Sequence, residues 1–143
     1  MRRIILSSEE CEICFEVTRM KGDYAFFNIE LGFRRLPASI PRVEECSLAR
    51  RDIERLLERL GLALSDEAVP DAFGHKEIAF TAYDAFFSLS VWPDMVVRLM
   101  LDYSPSYRCS VGVELRCTEE ELTRFRQDWA ELLKQQAHSQ DTV

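Results

Sequence analysis

Apolar and polar residues alternate with period two along much of this 143-residue chain, and two stretches switch to helical spacing. The alternation is clearest in the last third. There Ala85–Trp92, Met95–Tyr103 and Tyr107–Cys117 each carry one apolar row, the period of a half-buried strand. A fourth segment, Lys76–Tyr83, puts Ile78, Phe80 and Ala82 on one side, so four strands joined by short turns predict an antiparallel meander. Near the start, Arg2–Ser7 reads as a first strand. Cys11, Ile13, Phe15 and Val17 then alternate with Glu12, Cys14, Glu16 and Thr18. Lys21-Gly22-Asp23 supplies a turn, because glycine tolerates positive φ, and Ala25, Phe27, Ile29, Leu31 and Phe33 form the returning row.

Helical spacing begins after Pro37 and Pro41, neither of which can donate to a ladder. Ser47 is placed to cap a helix whose buried stripe is Ala49, Ile53, Leu56, Leu57 and Leu60. Gly61 stands as its left-handed C′ residue and Leu62 makes the accompanying apolar contact. Arg50, Arg51, Arg55 and Arg59 cover the solvated side, with arginines of the last turn suiting the helix dipole. The stretch from Ser65 to Gly74 reads as a loop. Thr118-Glu119-Glu120-Glu121 is a capping box: the Thr hydroxyl accepts from the N3 amide and Glu121 reaches back. It opens a second helix with the stripe Leu122, Phe125, Trp129, Leu132 and Leu133, expected to fray near His138. Together these elements predict an α+β fold of one domain spanning residues 1–143. Its antiparallel sheet, curved or in two layers, has about seven strands, with an internal helix and a C-terminal helix packed on the sheet.

Composition fits that picture. Hydrophobic residues make up 47% and charged residues 30%, which is globular rather than disordered, and a chain of this length builds a core without disulfides or metal. No apolar run approaches the roughly 18 residues that span a bilayer. The apolar part of Met1-Arg2-Arg3-Ile4-Ile5-Leu6 is too short for a signal-peptide core, so a cytoplasmic location is expected. Cys11, Cys14, Cys46, Cys109 and Cys117 fall mostly in strands and are expected to be buried thiols without disulfides. The formal charge of −7 disfavours nucleic acid and anionic membrane and favours a basic protein partner.

Chemistry-bearing motifs are few. Cys11-Glu12-Ile13-Cys14 has redox spacing, but within a strand residues three apart face opposite ways. His75, near Asp71 and Glu77, is the one candidate proton shuttle, and no third group completes a site. Phosphate-loop, dinucleotide, nucleophile-elbow and zinc-protease motifs are absent from the sequence. No cofactor, metal or catalytic residue is therefore assigned.

Carboxylates remain. Glu9, Glu10, Glu12 and Glu16 gather at the first turn and on the polar side of the second strand. Glu44 and Glu45 precede the first helix, and Asp66, Glu67 and Asp71 occupy the central loop. Trp92, Tyr103 and Tyr107 stand at turns, where aromatic side chains serve as interface anchors or as lids on a core. Glu9, Glu10, Glu12, Glu16, Asp66, Glu67, Asp71, Trp92, Tyr103 and Tyr107 form the candidate partner-binding set.

From Phe80 through Phe87-Ser88-Leu89-Ser90-Val91, Val96–Leu101 and Val111–Leu115 into the Glu119–Gln135 helix, the chain resembles the WapI-type immunity proteins of bacterial polymorphic-toxin systems. The resemblance covers less than half the chain and implies a non-catalytic protein that binds and blocks a cognate toxin. The readings carried forward are an immunity-type inhibitor occluding a basic partner, a small-molecule-binding or oligomerising sheet domain, and an enzyme using His75 with nearby acids.

Overall fold

A computed structural model describes residues 2–35, 42–65, 78–81, 87–92, 95–104 and 109–141. Among them the chain runs β1 (Arg2–Ser7), β2 (Cys11–Lys21), β3 (Tyr24–Phe33), β4 (Val43–Ala49), α1 (Arg50–Leu64), β5 (Ile78–Thr81), β6 (Phe87–Trp92), β7 (Val96–Ser104), β8 (Cys109–Arg116) and α2 (Glu119–Asp141). The strands form two four-stranded antiparallel sheets, each in sequence order: sheet A is β1-β2-β3-β4 and sheet B is β5-β6-β7-β8. The α+β class and the antiparallel meander thus stand, while the single sheet of about seven strands gives way to two sheets and eight strands.

The additional strand is β4, where the sequence pattern predicts the approach to a helix. Val43, Cys46 and Leu48 are its buried row, and a bulge opposite Asn28 breaks the alternation that would have marked it. Ser47 therefore lies in a strand, paired with Phe26, and caps nothing. The chain passes from β4 into α1 through Ala49, which offers no side-chain cap; the Arg50 amide donates instead to the Asp23 carbonyl of the β2–β3 turn, at 2.7 Å. That turn is closed by Gly22 at φ +59°, as its sequence requires.

Gly61 is an interior residue of α1 rather than its C′ residue. Helix α2 lies across it: a Cβ there would stand 3.4 Å from the Arg126 guanidinium, whose Nε donates to the Leu57 carbonyl at 3.0 Å. The missing side chain lets the helices approach, and Ala63 and Leu64 go on packing against the core for one more turn. Ser65 closes the helix by donating its amide and hydroxyl to the Leu62 carbonyl. Because the helix runs past Arg59, its last turn holds no basic residue and the expected dipole contact is absent.

Ile4, Leu6, Ile13, Phe15, Phe27 and Ile29 of sheet A join Phe87, Leu89, Val97 and Leu99 of sheet B in one buried cluster with the stripes of both helices. Phe15 is its hub. Its ring centroid lies 5.5–5.9 Å from those of Phe27 in the same sheet, Phe87 of sheet B, and Phe125 and Trp129 of α2. Such edge and tilted contacts add about 0.5–1.5 kcal/mol per pair beyond area burial. Thr118 Oγ1 accepts the Glu121 amide at 3.1 Å, the expected first half of the capping box. The second half is not formed through Glu121 Oε2, which is buried with no hydrogen-bond partner. Helix α2 continues through Asp141 instead of ending near His138.

Candidate functional surface

With the apolar rows turned inward, each sheet presents a second face built from the intervening residues. On sheet A the pairing sets Ser7 beside Glu12 and Gly32, Ile5 beside Cys14 and Glu30, and Arg3 beside Glu16 and Asn28. The bulge in β4 extends this face. In a regular strand Glu44 and Glu45 would point to opposite sides, one into the core. Here Glu45 takes φ +57°, its amide is held by Asn28 Oδ1 at 3.1 Å, and both glutamates are exposed. A non-glycine residue in this region is uncommon and costs roughly 1 kcal/mol.

Five carboxylates, Glu12, Glu16, Glu30, Glu44 and Glu45, thereby face two guanidinium groups on this part of sheet A. Arg42 is shared between Glu44, at 2.9 Å, and Glu30, at 3.7 Å. Arg3 is turned to Cys14, donating from Nε to Sγ at 3.3 Å, and this contact together with the Cys14 charge raises the Arg3 pKa. Among the described residues Glu12 makes no ion pair within 4 Å. Arg3, Glu12, Cys14, Glu30, Gly32 and Arg42 surround a notch of about 370 Å³ open to solvent. Among the described residues nothing fills the space above Gly32: a Cβ there would meet only the Glu12 carbonyl oxygen, at 3.9 Å.

At the other end of the face stand Tyr24, 43% exposed, and Phe26, with the Arg19 guanidinium 4.2 Å above the Phe26 centroid. Tyr24 is the one exposed large hydrophobic side chain among the described residues. The sequence reading missed this aromatic corner. The turn alone does not reveal it: a bulge between Val17 and Arg19 shifts the β2–β3 register by one residue, and that shift puts Glu30 on the face of Glu12 and Glu16.

The residues singled out from sequence separate in space. Glu12 and Glu16 sit half-buried on the sheet A face, and Glu9 and Glu10 are exposed at the β1–β2 turn beside it, Glu10 pairing with Arg35 at 3.5 Å. Trp92 belongs to the outer face of sheet B. It is half-buried, donates from Nε1 to Ser90 Oγ at 3.3 Å and lies under the Arg98 guanidinium at 5.2 Å. Tyr103 is part of β7, with its side chain outside the described residues. Asp66, Glu67, Asp71 and Tyr107, and the His75 and Glu77 of the enzyme reading, also lie outside them.

The cysteines divide as strand geometry demands. Cys11 packs in the core, whereas Cys14, three residues on, lies on the outer face beneath its neighbours, 4% exposed. Burial, with Glu121 and Cys11 as lesser causes, pushes the Cys117 thiol up to about 12; burial and then Glu12 raise Cys11. Cys11, Cys14 and Cys117 are free thiols, Cys46 is buried in the core, and the described residues contain no group of three His, Cys, Asp or Glu arranged to hold a metal ion. No helix among the described residues is long and apolar enough to cross a membrane.

Searches of protein-family models, curated proteins and solved structures return no match to this chain.

Proposed function

We propose that this is a non-catalytic binding protein that occludes a basic protein partner, in the manner of an immunity-type inhibitor, and that it does so with the outer face of sheet A. The observation that carries the reading is the surplus of carboxylates on that face, extended by a bulge that turns two consecutive glutamates to solvent against a backbone cost. Exposed charge of one sign steers an oppositely charged partner and fixes its orientation. Among the described residues the half-buried and buried aromatic side chains pack the interior or lie under arginines, which leaves Tyr24, at the other end of the face, as the apolar anchor.

Capture from an extract of the source cells at low salt tests the reading, with tagged wild-type protein beside a Glu12→Arg, Glu16→Arg, Glu30→Arg variant. The expected result is one basic protein in stoichiometric yield with the wild type, lost with the variant and lost as salt rises. Co-expression should then relieve the toxicity of that protein. Equal recovery by both baits, or by neither, overturns the proposal.

A further inference from the structure

We infer that the notch above Gly32 is a socket for an arginine side chain of the basic partner; the inference rests on the docking face just proposed and names its specific contact. The shape comes from sequence. Glycine at position 32, with no positive φ to require it, removes a side chain from the row that Glu12 and Ser7 otherwise continue. The about 370 Å³ left open admits one long side chain, with Glu12 on one strand and Glu30 on the next to bracket its head. The notch also displays its own preference. Arg42 enters from the rim and reaches Glu30 at 3.7 Å, outside hydrogen-bond distance, because its Nε is engaged with Glu44 at 2.9 Å. The molecule thus already directs a guanidinium at this carboxylate and leaves Glu12, across the notch, without an ion pair among the described residues. A planar guanidinium over Gly32 offers five donors, enough to serve both glutamates, whereas an ammonium acts as a point charge. Arg3 lines the notch with its Nε held on Cys14 Sγ at 3.3 Å.

The socket can be filled without disturbing the fold. In Gly32→Val the new Cβ meets no described residue closer than 3.9 Å, and valine suits a strand. Uniformly 15N-labelled protein is titrated with the blocked peptide acetyl-Gly-Arg-Gly-amide, its lysine counterpart and free arginine, and amide shifts are followed. Saturable shifts are expected at Glu12, Cys14, Glu30 and Gly32, with the arginine peptide binding at least threefold tighter than the lysine peptide. Gly32→Val and Glu12→Gln should each weaken binding at least fivefold. Shifts spread over both sheets, equal affinity for the two peptides, or unchanged binding by Gly32→Val overturn the inference. Tighter binding of free arginine than of the blocked peptide also overturns it, by assigning the notch to a free amino acid. The capture experiment separates this failure from failure of the docking face: reversal of Glu12, Glu16 and Glu30 abolishes capture if the face docks the partner, whatever the peptide does.

Discussion

At its Glu12–Glu30 end the outer face of sheet A sets Glu12, Glu16, Glu30, Glu44 and Glu45 against Arg3 and Arg42, with Arg19 and Lys21 at its far end, whereas that of sheet B sets Asp102 and Glu114 against Arg98 and Arg116. On sheet B, Arg98 and Glu114 are register partners, joined Nε to Oε1 at 2.8 Å, and Arg98 also covers Trp92. Ser88, Ser90 and Gly112 complete a surface whose charges answer one another. On sheet A, Glu30 pairs across the strands with Cys14 and Glu12 with Gly32, while Arg3, the register partner of Glu16, is turned to Cys14. The same alternating code builds the interior side of both sheets. The difference singles out this end of sheet A, where five carboxylates face two guanidinium groups.

The comparison fails first if the two sheets do not share an interior. Trp129→Ala should cost about 3–5 kcal/mol in denaturant unfolding, and Phe15→Ala a similar amount, because these rings join both sheets to α2. Both variants should keep one cooperative transition; separate transitions for the two sheets would break the shared core. Trp129→Phe should cost less than the alanine change, since the indole Nε1 is buried with no acceptor.

The two glycines sharpen the contrast. At Gly112 of sheet B a Cβ would stand 2.7 Å from Met100 Sδ, so Gly112→Val should cost about 1 kcal/mol, as that flexible side chain must swing aside. Gly32→Val on sheet A should stay within about 0.5 kcal/mol of wild type, the range of surface substitutions. Equal costs would mean that the notch is not open.

Alkaline stability tests the seam between β8 and α2. The folded Cys117 pKa is raised to about 12 from the ordinary 9.0, so folding favours the protonated thiol. Its contribution is present in full below pH 9 and is lost as pH rises from there towards 12. Cys117→Ser or Cys117→Ala should flatten that part of the stability profile, measured by chemical denaturation. The smallest effect belongs to the ion pair of sheet B. Glu114→Gln should cost less than about 1 kcal/mol, because both side chains are about half exposed.

Much of this architecture is legible in the residues. Period two located seven strands, and Gly22 marked the turn of the first hairpin. The Thr118 cap and the stripe from Leu122 marked α2. What escaped was non-local. β4 is hidden by its bulge, and its helix is started by the Asp23 carbonyl of a distant turn rather than by Ser47. Gly61 carries a stop signal that packing against Arg126 overrides. The candidate surface was half legible for the same reason. Glu12 and Glu16 follow from alternation, but Glu30 joins them only through pairing, and Glu44 and Glu45 only through the bulge. The grouping of Trp92 with the glutamates dissolved because the division into two sheets separates them.

The most direct test is the association rate of the captured basic protein with three versions of this chain at low and high salt. These are the wild type, a sheet A variant with Glu12, Glu16 and Glu30 changed to arginine, and a sheet B variant with Arg98 and Glu114 exchanged. The account predicts that the sheet A changes slow association at least tenfold at low salt and remove its salt dependence, while the sheet B exchange leaves both as in the wild type. Indistinguishable rates and salt slopes for all three would contradict it.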